Sequence, residues 1–119
     1  MAERAGQAGY AKGFDKFAPI GPVLVSPKIL SDIGRLRMTT KVNGEQRQTT
    51  LLNDLIFDVG TIVRHLSRAM TLRKFTVILT GTPSGVAALM KPPAWLQDGD
   101  TVTIEIEKIG TISNKMKFL

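Results

Sequence analysis

With 119 residues, 43% of them hydrophobic and 22% charged, the chain has the make-up of one globular domain, which excludes disordered, fibrous and repetitive classes. It has no cysteine, so disulfides, thiolate metal sites and cysteine nucleophiles are excluded together, and a reducing compartment is the simplest reading. The formal charge of +6 invites a nucleic-acid partner, but no basic run exceeds two residues and there is one Tyr and one Trp. The concentrated basic stripe with stacking aromatics that such binding needs is missing.

Residues 1 to 9 form a small, polar, Ala/Gly-rich lead without a core pattern, expected to be frayed, and organised sequence begins at Tyr10. The lead has no apolar signal core, and no later apolar run approaches the roughly 20 residues that cross a bilayer, so a soluble, cytoplasmic chain without a membrane partner is expected, with the mitochondrion left open. From Lys12 to Gly21 runs a loop with Phe14, Phe17 and Pro19. Val23-Leu24-Val25 reads as a short strand ended by Ser26-Pro27, and Ile29 to Ile33 as a turn. Leu36 to Val42 and Glu45 to Thr50 flank Asn43-Gly44, a hairpin signal because a type I′ turn needs positive φ at both central residues.

Asn53 or Asp54 is expected to cap a helix that continues to about Met70. Its Leu55, Ile56, Val59, Ile62, Val63, Leu66, Ala69 and Met70 recur at spacings of three and four. A second apolar strand, Val77-Ile78-Leu79, runs into Thr80-Gly81-Thr82-Pro83-Ser84-Gly85, where two glycines let the backbone approach a ligand and hydroxyls cluster at the end of a rigid element. Ala87 to Leu96 is a loop broken by Pro92-Pro93, and Asp98-Gly99-Asp100 is a turn. Thr101 to Ile109 alternates, with Val102, Ile104 and Ile106 inward and Thr103, Glu105 and Glu107 outward, and Thr111 to Phe118 follows as a further strand. The whole predicts a mainly β (α+β) domain with one main helix.

Other candidate groups have ordinary readings. Glu105-Ile106-Glu107 puts two carboxylates on one strand face, as a half-solvated strand does. Asp54 is expected to cap the helix, with Asp58 solvated near its positive end. His65 has no second histidine or serine nucleophile to work with, which argues against a triad or a histidine metal site.

Several segments in order carry a resemblance. Ala11-Lys12-Gly13-Phe14-Asp15-Lys16-Phe17-Ala18-Pro19-Ile20-Gly21-Pro22, Val42-Asn43-Gly44-Glu45 with Arg47-Gln48, Asp54-Leu55-Ile56-Phe57, Leu66-Ser67-Arg68 with Met70-Thr71-Leu72, Val77 through Val86, Leu96 through Asp100 and Ile109-Gly110-Thr111 together resemble the C-terminal part of the fumarylacetoacetate hydrolase superfamily. The likeness covers residues 10 to 117. It implies a mixed β roll with a divalent cation (magnesium, manganese or calcium) held by acidic side chains. Implied too are 2-oxo acid or β-dicarbonyl substrates, and enzymatic hydrolysis of carbon–carbon bonds, decarboxylation or isomerisation through a metal-stabilised enolate. By the same resemblance Lys12 matches the active-site lysine, and Thr82, with the Gly81 backbone, the substrate-contacting threonine.

The pattern also departs from the family. Relatives draw their metal ligands from a Glu-x-Glu pair and an Asp upstream of the lysine, whereas the eleven residues before Lys12 hold a single acid, Glu3. No metal ligand is therefore assigned, and the chain reads as incomplete on its N-terminal side. Arg73-Lys74-Phe75-Thr76 stands where relatives carry a Pro-Gly-Asp-like turn, and Ala87 where a glycine is common. The alternative reading is a non-catalytic half-domain that works through a partner chain. Either way, a sheet without its upstream neighbours exposes apolar edges, and a homodimer or partner chain is expected.

Overall fold

The computed structural model describes residues 8–118. Helix α1 (Ala8–Lys12) is followed by a long irregular segment, and a 3-10 turn at Ile33–Arg35 leads into strands β1 (Arg37–Val42) and β2 (Glu45–Leu51). Helix α2 (Val59–Ser67), a second 3-10 turn at Ala87–Leu89, and strands β3 (Thr101–Ile106) and β4 (Gly110–Lys115) complete the chain. The four strands make one antiparallel sheet in the order β2-β1-β3-β4. The mainly β class with one main helix is as the sequence predicts. The expected frayed lead falls largely on residues 1–7, outside the described residues.

The hairpin turns where Asn43-Gly44 requires it, with φ of 51° and 85°. The same asparagine ties this turn to the next one: its Nδ2 donates to Asp100 Oδ1 at 2.8 Å and its Oδ1 accepts from the Thr101 N–H at 2.9 Å. Alternation then sorts the faces. Thr40 pairs with Ile104 and Val42 with Val102, and these four residues face the loop that carries Val86, Ala87, Met90, Ala94 and Leu96. On the opposite face the residues are polar apart from Leu51, which pairs with Arg37, and Thr103 and Ser113 share a hydroxyl hydrogen bond of 3.0 Å.

Three sequence expectations are corrected. Val23–Val25 and Val77–Leu79 form no strand, because no neighbouring strand is available to satisfy their backbones, and Leu24 is 95% exposed. The helix begins at Val59, not after Asn53 or Asp54. Asp58 is its cap, with an extended backbone and a carboxylate that accepts from the Thr61 N–H at 2.7 Å. Asp54 instead accepts from the Thr50 hydroxyl at 2.8 Å, in a turn closed by the Asp54 N–H on the Leu51 carbonyl. The last two strands end at Ile106 and Lys115, short of Ile109 and Phe118.

Packing is sparse. Among the described residues Leu36 is the one apolar side chain that is buried, at 4% exposure, while residues such as Ile56 and Phe75 stand almost free. Accessible surface totals 10083 Å², against about 6,300 Å² for a compact monomer of this mass.

Candidate functional site

Between the unpaired Val77–Leu79 segment and the 3-10 turn at Ala87, the hydroxyl-rich loop lies against β2. Gln48 fastens it. Its side-chain amide donates to Thr82 Oγ1 at 2.9 Å and also lies 3.1 Å from the Pro83 carbonyl and 3.3 Å from that of Ser84. One amide thus meets three consecutive oxygens and sets the path of the loop. Gly85, at φ 94°, presses against the Arg47 carbonyl so closely that an added Cβ would collide with it. Gly81, at φ 112°, has open space where a Cβ would stand, so its backbone is accessible to a ligand.

A weaker bond completes the Thr82 environment, its hydroxyl donating to the Pro83 carbonyl at 3.4 Å. Because Gln48 already donates into the oxygen, the hydroxyl proton is available to a better acceptor. Lys12 closes α1, exposed, with Nζ 3.4 Å from the Phe17 carbonyl. The loop around it is braced by Tyr10 edge-on to Phe14, centroids 5.1 Å apart, and by Phe14 beside Phe17 at 5.5 Å. Gly81 and Thr82 therefore share one loop, Lys12 comes from the end of α1 where a loop was expected, and among the described residues no hydrogen bond joins Lys12 to Thr82.

Elsewhere several of the acids have structural partners. Glu107 Oε2 accepts from the Arg37 N–H at 2.9 Å at the end of the sheet, while Glu105 is exposed. The backbone N–H of Thr61, then its hydroxyl, hold the Asp58 carboxyl below the usual aspartate range, with the Arg64 charge adding to the effect. Asp100 is lowered in the same direction, first by the Gln97 N–H and then by the Asn43 amide. His65 is exposed in the last turn of α2. No group of three or more His, Asp or Glu among the described residues could hold a metal ion.

Sequence reasoning did not find Gln48 as the fastener of the loop. The signal was present, since a glutamine within an otherwise regular strand must place its amide somewhere. Its target lies 34 residues away, beyond any local pattern. The packing of Gly85 on the Arg47 carbonyl was hidden for the same reason.

Known proteins resemble the chain in sequence and in fold. Oxaloacetate tautomerase YisK of Bacillus subtilis (strain 168) is 40% identical over 116 residues, which are 98% of this chain and 38% of the relative. A fumarylacetoacetate hydrolase from psychrophilic Exiguobacterium antarcticum superposes with a TM-score of 0.85 at 41% identity, over 98% of this chain and 43% of the other. The maleylpyruvate hydrolase of Sphingobium sp. SYK-6, in complex with manganese(II) and pyruvate, gives 0.79 at 30% identity over 91% of this chain and 38% of that one. This chain thus spans well under half the length of these relatives. Residues 1–117 match the family described as fumarylacetoacetate (FAA) hydrolase C-terminal, and the chain belongs to the fumarylacetoacetate hydrolase family, as its C-terminal part.

Proposed function

We propose that the chain contributes one wall of a site that binds 2-oxo acid or β-dicarbonyl substrates for carbon–carbon hydrolysis, decarboxylation or isomerisation. The observation that carries this reading is the Gln48-fastened loop within a sequence matched to the family over residues 1–117. In it the Lys12 ammonium neutralises the carboxylate or the developing enolate oxygen, and the Thr82 hydroxyl leaves Pro83 to donate to a second substrate oxygen. The Gly81 backbone lies open beside it. A divalent cation belongs to the same reading, since one relative is solved with manganese. The described residues offer no acidic cluster that fits such a cation.

A second polypeptide surface, from another copy or a partner chain, also belongs to the proposal. It is favoured by the exposure of Ile56, Phe57, Phe75 and Trp95.

The test is titration of the full chain with oxalate, a planar mimic of the enolate, followed by assays of oxaloacetate enolisation and acylpyruvate cleavage. Lys12→Met should weaken oxalate binding by about tenfold or more, and Thr82→Val by a smaller factor, with circular dichroism unchanged. Equal affinity in Lys12→Met and the unaltered chain would overturn the role of the lysine.

A further inference from the structure

Three oxygens decide which way the Gln48 amide points. Two of them, the Pro83 and Ser84 carbonyls at 3.1 and 3.3 Å, can only accept, so the nitrogen end of the amide faces the loop. The third contact, 2.9 Å to Thr82 Oγ1, is then a bond that Gln48 donates. The proton of the Thr82 hydroxyl must therefore point away from Gln48. Its acceptor within the loop is the Pro83 carbonyl at 3.4 Å, and the same amide already donates to that carbonyl at the shorter distance. Gln48 thus fills the acceptor side of the hydroxyl and competes for its resting partner. Thr82 is exposed, while Gln48 is half-buried.

Regular β alternation would aim this amide away from the loop. Glu45 pairs with Val42, which faces the loop, so strict alternation from Glu45 would put Arg47 on that face and Gln48 on the other. Thr40 pairs with Gln48 and Lys41 with Gln46, however, which makes Arg47 an extra residue, a bulge in β2. Arg47 and Gln48 consequently line one cavity of about 260 Å³, whose wall includes Gly85 and Val86. The bulge serves the loop twice: the Arg47 carbonyl meets Gly85, and the shift in register brings Gln48 to Thr82.

We propose that Gln48 is a positioning residue for substrate, which by donating to Oγ1 holds Thr82 as a donor with its proton aimed at an anionic oxygen of the ligand. The proposal rests on the reading of Thr82 as a donor to a substrate oxygen and adds the residue that orients it. Gln48 acts through Thr82 and not on the substrate itself. Such a relay is cooperative: as the ligand draws the hydroxyl proton, the hydroxyl oxygen becomes a better acceptor and the amide bond tightens. It also selects a bare carboxylate, oxo or enolate oxygen at this position over an N–H group, since two donors would otherwise meet.

Oxalate titrations of the full chain in four forms test this: unaltered, Thr82→Val, Gln48→Met and the double variant. Gln48→Met keeps the bulk of the side chain and removes the amide. It should weaken oxalate binding about three- to tenfold where Thr82 is present, and less than about twofold in the Thr82→Val background. A loss of equal size in both backgrounds would overturn the proposal, because Gln48 would then only fasten the loop, and so would no loss in either. Unchanged affinity in Thr82→Val, or no binding by the unaltered chain, would instead sink the reading of Thr82 and this proposal with it. Where Gln48→Met does not fold, nuclear magnetic resonance of the unaltered chain decides. One Gln48 side-chain amide proton should move downfield as oxalate saturates, and an unmoved pair, or the same shift in Thr82→Val, would overturn the relay.

Discussion

Gly85 and Gly81 stand on the same loop with similar φ, 94° and 112°, yet they do different work. At Gly81 only the conformation excludes a side chain, so Gly81→Ala should cost about 1 kcal/mol. At Gly85 a methyl group meets the Arg47 carbonyl as well, and Gly85→Ala should cost about 2–3 kcal/mol and loosen the loop from β2. Urea unfolding of both variants checks this, and equal midpoints would refute the close-packing account. Phe75 is the counterexample on the same scale. It holds φ of 65° with 92% of its surface exposed, a conformation a glycine would hold without strain. It falls in the Arg73–Thr76 segment. Such features are invisible to pattern reading, because φ at one residue is set by what the turn must connect.

At the scale of elements, two carboxylates hold ends in place. Asp58 caps α2 and Asp100 closes the turn before β3, through the Gln97 N–H at 2.7 Å. Both are held below the usual aspartate range by these hydrogen bonds. A folded-state pKa lowered in this way gives stability that is present above the unfolded value and lost as pH falls through the folded one. Helix and turn should therefore weaken below about pH 4. Asp58→Asn keeps a capping oxygen without a titrating group, so its helical circular dichroism should fall less on acidification than that of the unaltered chain. Identical pH profiles would remove Asp58 as a source of acid sensitivity. The hairpin, the last two strands and the existence of the helix were legible beforehand, since each is written in neighbouring residues. The choice of Asp58 over Asp54 was not, because Thr50 and the turn after Leu51 claim Asp54 first.

As a whole molecule the chain exposes more than it hides. A single buried apolar side chain among the described residues, with 10083 Å² of accessible surface, leaves much of the hydrophobic driving force unused. The chain should therefore associate, either with itself or with a covering polypeptide, and light scattering should give a mass above 13.0 kDa. A monodisperse monomer with a cooperative thermal transition would show that the sheet and its loop suffice alone. No helix among the described residues is long and apolar enough to cross a membrane, so these apolar surfaces are not spanning helices.

By itself the sequence determined the Asn43-Gly44 turn, the alternating β3, the amphipathic α2 and the family motifs, all of which depend on residues close together along the chain. Tertiary structure alone decided that Val23–Val25 and Val77–Leu79 stay unpaired, that Arg47 bulges into a cavity and that Gln48 fastens Thr82. A strand needs a neighbour for its backbone, and a buried amide or guanidinium takes its role from whatever folding brings within hydrogen-bond distance.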